Sequence, residues 1–169
     1  FGLHDLTRRV LPSMRRQGTG RIVNVASVAG HTAVPLMGAY CASKFAVRAL
    51  TQSLDMEVRR FGIRAVLVEP GPIATGFGDR ATAESRANMP DPASSPYAPT
   101  YAKWAKMRGE GGRGVHPRKV ARKVVHACMA AVPRNHYFVP WSASWLNLGK
   151  RLLPDAWTMA ALRLYFRGN

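Results

Sequence analysis

Apolar residues recur along this chain at two periods, and their alternation sets the expected architecture. From Phe1 to Gln17, Leu3, Leu6, Val10, Leu11 and Met14 return at three- and four-residue steps, which predicts an amphipathic helix. Pro12 falls inside that run and removes a backbone donor, so the helix should bend there or end in an irregular turn. Gly18-Thr19-Gly20 breaks it, and Ile22-Val23-Asn24-Val25-Ala26 follows as a nearly continuous apolar strand. Such a run is expected where helices cover both faces of a sheet. After a loop over Val28–Met37, interrupted by Gly30 and Pro35, the helical period resumes from Gly38 to Phe61 through Tyr40, Lys44, Val47, Leu50, Thr51, Leu54 and Val58. Arg59-Arg60 with Gly62 behind them form a stop signal. Ile63–Glu69 is the next strand, cut off by Pro70-Gly71-Pro72.

Periodicity then fades. Residues 76–115 are rich in Gly, Pro and short polar runs, which predicts either a linker or a mobile lid over a substrate. Met89, Tyr97, Tyr101 and Trp104 give the segment apolar material, and the lid is the favoured reading. Pro117 suits the first position of a helix carrying Val120, Val124, Val125, Cys128 and Met129, which Pro133 ends. His136–Val139 reads as a last short strand. Trp141–Asn169 is a tail with a helix after Pro154 marked by Trp157, Met159, Leu162, Leu164 and Tyr165. Packing over a substrate site is its favoured role, with contact to a membrane surface or an oligomer partner as alternatives. Strands alternating with helices predict an α/β domain with a parallel sheet across residues 1–169.

Composition narrows the function classes. The net charge is +16, and residues 100–169 hold 13 Lys/Arg against Glu110 and Asp155. Those basic residues are scattered rather than set in a base-reading motif, so no nucleic-acid partner is expected. The sequence lacks the run of about eighteen apolar residues that spans a membrane. Its start, FGLHDLTRR, has early charges instead of a signal peptide, which makes the cytoplasm the expected location. Cys41 and Cys128 lack metal spacing and read as reduced, packed thiols. His4, His116, His126 and His136 read as surface or packing residues, and no metal site is predicted.

The chemistry lies in Ser27, Tyr40 and Lys44. Tyr40 and Lys44, four apart on a helix, share one face. A phenol titrates near pH 10 and is a poor base at neutrality, but an ammonium one turn away favours the phenolate. That pairing suits proton transfer to or from an alcohol. Ser27 ends a strand thirteen residues before Tyr40, with its hydroxyl available to a carbonyl oxygen or to the phenol. In open parallel sheets ligands sit beyond the carboxyl ends of the strands, where both Ser27 and Pro70-Gly71 fall.

A strand ending in Ser, thirteen residues to Tyr, Lys at the fourth position on, and a strand ending in Pro-Gly-Pro with Thr75 beyond together resemble the short-chain dehydrogenase/reductase family. The likeness is close over Phe1–Phe77 and looser after it. It implies a Rossmann-like doubly wound parallel sheet, of which this chain would carry the last three of seven strands. Tyr40 would then be the general acid/base, Ser27 would hold the substrate oxygen, and Lys44 would bond the nicotinamide ribose. Pro70, Gly71, Ile73 and Thr75 would pack along the nicotinamide of NAD or NADP. His31, in the loop before Tyr40, is a candidate substrate contact.

No G-x-x-x-G-x-G turn occurs in the 169 residues. GEGGRG at Gly109–Gly114 does not join a strand to a helix and reads as a loop. The family's catalytic Asn and its Asn-Ala-Gly segment are also missing, and the chain starts without Met in mid-helix. The reading is a C-terminal portion of a longer enzyme that is inactive by itself. The expected substrate is an apolar alcohol or ketone, steroid-, retinol- or long-chain-like. A 3-oxoacyl-type reductase and a non-catalytic basic interaction module are the alternatives. The resemblance further implies a dimer or tetramer through the first helix and the Tyr40 helix.

Overall fold

The computed structural model describes residues 1–87, 91–109, 114–140 and 152–167. Helix α1 spans Gly2–Gln17 and continues through Pro12 to a left-handed cap at Gly18 (φ 66°). The expected irregular last turn does not occur. Strand β1, Gly20–Val25, pairs in parallel with β2, Ile63–Pro70, and β2 pairs in parallel with β3, His136–Val139. The strand order is β1-β2-β3. Between β1 and β2 lies helix α2, Gly38–Val58, which tightens into a 3-10 turn at Arg59–Phe61 and ends at Gly62 (φ 70°).

Both faces of the sheet are covered, as the apolar strands require. On one face Leu11 of α1 and Val58 of α2 pack with Ile22, Ile63 and Ala65. On the other, Val66, Val68 and Tyr137 pack with Ala127 of helix α5, Pro117–Met129. Alternate residues of β2 feed the two clusters, as the period of a strand dictates. The α2 interface is also polar: Asn24 Nδ2 donates to Thr51 Oγ1 at 2.8 Å, and Asp55 Oδ1 accepts the Ala65 N–H at 3.0 Å. Arg59 and Arg64 also donate to Asp55, which is buried.

Three sequence expectations need correction. Residues 76–115 are not mainly coil: they hold helices α3, Phe77–Ala87, and α4, Ala98–Gly109. None of their side chains whose burial is described is fully buried, so no apolar period announced them. On α5 the inward residues are Val120, Val124 and Ala127, whereas Val125 and Met129 face solvent. Cys128 is exposed rather than packed, while Cys41 is buried. The last helix, α6, spans Asp155–Phe166. Met89, residues 110–113 of the glycine-rich loop and residues 141–151 of the tail lie outside the described residues.

Candidate active site

The site is assembled at the carboxyl ends of β1 and β2 by three short stretches. The Ala26 N–H still bonds Val68 O at 2.9 Å, so the strand ladder carries the backbone to the edge of the sheet. Ser27 is extended there and caps a 3-10 turn, Val28–Gly30, by accepting the Ala29 N–H at 3.2 Å. Its hydroxyl also donates to Pro70 O at 3.3 Å. A Cβ at Gly30 would stand 2.9 Å from Lys44 O. Glycine is therefore required for the turn to rest on the α2 backbone beside the face that carries Tyr40 and Lys44.

Tyr40 occupies the first turn of α2 and Lys44 the next, both half-buried. The Lys44 ammonium lies 5.6 Å from the Tyr40 ring centroid and has no hydrogen-bond partner among the described residues. Phe77, at the start of α3, brings its ring to 6.1 Å from that of Tyr40. Beyond β2 the Gly71 N–H donates to Val139 O at 2.7 Å, and Ile73 forms an isolated parallel bridge with Val115. Thr75 is exposed and its hydroxyl accepts the Phe77 N–H at 3.4 Å, which fixes the entry to α3.

Ser27 and Lys44 are thus joined through the 3-10 turn, and Ser27 and Pro70 directly. His31 reaches the end of β2. Its ring is buried, and its Nε2 lies 2.7 Å from Glu69 Oε1. His136 Nδ1 lies 2.8 Å from Glu69 Oε2, so that histidine joins a polar network instead of serving as packing alone. Burial pushes the Glu69 carboxyl up, but hydrogen bonds from His136 and His31 and the charge of both rings outweigh it and hold it down to about 2. Sequence reasoning missed Glu69 and Phe77. The available signal was an ionisable residue closing the apolar run Ala65–Val68.

The family model described as short chain dehydrogenase matches residues 1–86. The chain belongs to the short-chain dehydrogenase family. That family comprises NAD- or NADP-dependent oxidoreductases, and the half-buried Tyr40 with the Lys44 ammonium, which has no hydrogen-bond partner among the described residues, fits such a cofactor. The chain is 39% identical over 158 residues to the uncharacterized oxidoreductase YbbO of Escherichia coli K12, covering 91% of this chain and 52% of that protein. It is 32% identical over 171 residues to the 3-ketodihydrosphingosine reductase of Bacteroides thetaiotaomicron, covering 98% and 61%. A short-chain dehydrogenase structure from Streptomyces avermitilis superposes with a TM-score of 0.68 at 27% identity, covering 98% of this chain and 56% of that one. The chain spans about half the length of several relatives that it matches.

Proposed function

We propose that these residues form the proton-transfer half of a dehydrogenase acting on an apolar alcohol or ketone. The observation that carries this reading is the single face of α2 that presents Tyr40 and Lys44, with the Ser27 turn seated on the backbone at Lys44. A bound NAD or NADP supplies or accepts the hydride. In the reducing direction the Tyr40 hydroxyl gives its proton to the substrate oxygen; in the oxidising direction the phenolate removes it. Lys44 stabilises the oxyanion left on Tyr40 and bonds the ribose hydroxyls of the cofactor. Ser27, turning its proton from Pro70 O, donates to the substrate oxygen and fixes the carbonyl plane. Pro70, Gly71, Ile73 and Thr75 would hold the nicotinamide of the bound cofactor.

The segment 76–115 serves as the substrate lid. Trp104 Nε1 donates to Pro35 O at 2.8 Å, and the Trp104 ring lies 6.2 Å from Phe166 of α6. The lid thereby meets both the loop before Tyr40 and the tail. Beside that meeting point Pro35, Leu164, Phe166, Arg163 and Arg167 border an open depression of about 450 Å³. The reductase of a long-chain ketone among the relatives supports the apolar substrate class. Arg163 and Arg167 also favour a second reading, a 3-oxoacyl substrate with an acidic carrier.

Exposed Leu6 of α1 and Leu50 and Met56 of α2 support association of copies through those helices. No described helix is long and apolar enough to cross a membrane, and we place the working enzyme in the cytoplasm. The 169 residues alone turn over no substrate on this reading, because they contain no glycine turn for the cofactor pyrophosphate. The test uses the native full-length protein with NAD and NADP against a panel of long-chain, steroid-like and 3-oxoacyl substrates. Tyr40→Phe should lower kcat by about 10²–10⁴-fold with cofactor affinity nearly unchanged. Equal turnover in that variant would remove Tyr40 from the mechanism.

A further inference from the structure

The turn that carries Ser27 is held at three points, and one of them has no part in the chemistry assigned above. Ser27 reaches Pro70 O, Gly30 rests against Lys44 O, and His31 reaches the Glu69 carboxylate. Glu69 is fully buried at the end of a strand whose other inward residues are apolar. A carboxylate in such a place is costly unless its oxygens are engaged. Both are: His31 Nε2 lies 2.7 Å from Oε1, and His136 Nδ1 lies 2.8 Å from Oε2.

The network continues outward. His136 Nε2 is 3.4 Å from Gln52 Nε2 on α2, and the ring of Phe138 lies 5.6 Å from His31 and 6.3 Å from His136. One carboxylate therefore ties the 3-10 turn, β2 and β3 together at the carboxyl end of the sheet, with α2 reached through His136. An apolar residue at position 69 would fill the space without fixing a direction. A charge-assisted hydrogen bond fixes both distance and angle. His31 follows directly on the turn that Ser27 caps, so its position determines where that turn sits on β2.

We infer that Glu69 and His31 are a positioning pair that holds the Ser27 hydroxyl at the Pro70–Gly71 end of β2; the catalytic consequence rests on the dehydrogenase reading above. The pair touches neither substrate nor cofactor and acts through the turn.

The experiment compares His31→Leu with His31→Gln in the native full-length protein, since the Gln side-chain amide can still donate to Glu69 where Leu cannot. His31→Leu should lower kcat about tenfold or more with the KM for the cofactor within about twofold, as expected when a reacting group is misplaced rather than lost. His31→Gln should recover most of that loss. Hydrogen exchange at the amides of Gly30 and His31, which bond Ser27 O and Val28 O, should speed up in His31→Leu and not in His31→Gln, with the β1 and β2 amides unaffected. Unchanged exchange in His31→Leu would overturn the pairing. Faster exchange with unchanged kcat would overturn its positioning role. A wild-type protein inactive on every substrate would count against the dehydrogenase reading instead, and exchange would still decide whether the pair holds the turn.

Discussion

Among the described residues Asp55 and Glu69 are the two buried carboxylates, and their engagement ties helices to the sheet. Asp55 accepts from Arg59, Arg64 and the Ala65 N–H, and these bonds outweigh burial to keep its carboxyl below the usual range. Asp55→Ala leaves an unpaired buried N–H and should destabilise the fold by about 2–3 kcal/mol in urea denaturation. For Glu69, a folded-state value of about 2 against an ordinary 4.5 gives stability that is complete above the unfolded value. That contribution is lost as pH falls toward 2. The thermal midpoint should therefore drop between about pH 5 and pH 2, and the drop should be shallower in Glu69→Gln. At this scale the placement of Ser27 at the end of β1 and of Tyr40 and Lys44 on one helix was legible because each sits at a spacing that local structure fixes. It could not disclose the Glu69 network, because His31 and His136 lie 38 and 67 residues away in the chain. Nothing local marks such partners.

At the scale of elements, legibility followed burial. Strands β1 and β2 were plain because both their faces are covered and an apolar run results. Helix α2 was plain because its period runs for almost six turns between a Gly start and the Gly62 stop. Gly62 takes φ 70°, and a Cβ there would stand 2.2 Å from Gly18 O. Gly62→Ala should cost about 2–4 kcal/mol, combining strained backbone with a clash against main chain, and chemical denaturation measures it. Helices α3 and α4 stayed hidden for the converse reason. No side chain described in either helix is fully buried, so their apolar residues give no strong period that points at a core. On α5, choosing among Val120, Val124, Val125 and Met129 needed knowledge of which face the sheet takes, and that knowledge is tertiary.

For the molecule as a whole, the 76–115 segment proposed as a lid meets the tail at Trp104 and Phe166 and the loop before α2 at Pro35. Lys103 Nζ adds bonds to the carbonyls of Tyr165 and Arg167 at the end of α6. Trp104→Ala should raise the KM for a bulky apolar substrate about tenfold in the full-length enzyme and leave cofactor affinity unchanged; limited proteolysis should cut the 76–115 segment faster. The excursion has both its feet at one spot. The Val115 N–H bonds Pro72 O at 2.9 Å, the Ala74 N–H bonds Val115 O at 3.1 Å, and a Cβ on Gly114 would stand 2.4 Å from Ala74 N. Closing a longer or shorter loop between fixed ends changes the free energy slowly, by about 0.6 kcal/mol per doubling of length. The segment between those feet is therefore an exchangeable cassette. Its length and composition can change at little cost in closure while the sheet stays in place, and on the lid reading proposed above the choice of substrate changes with them.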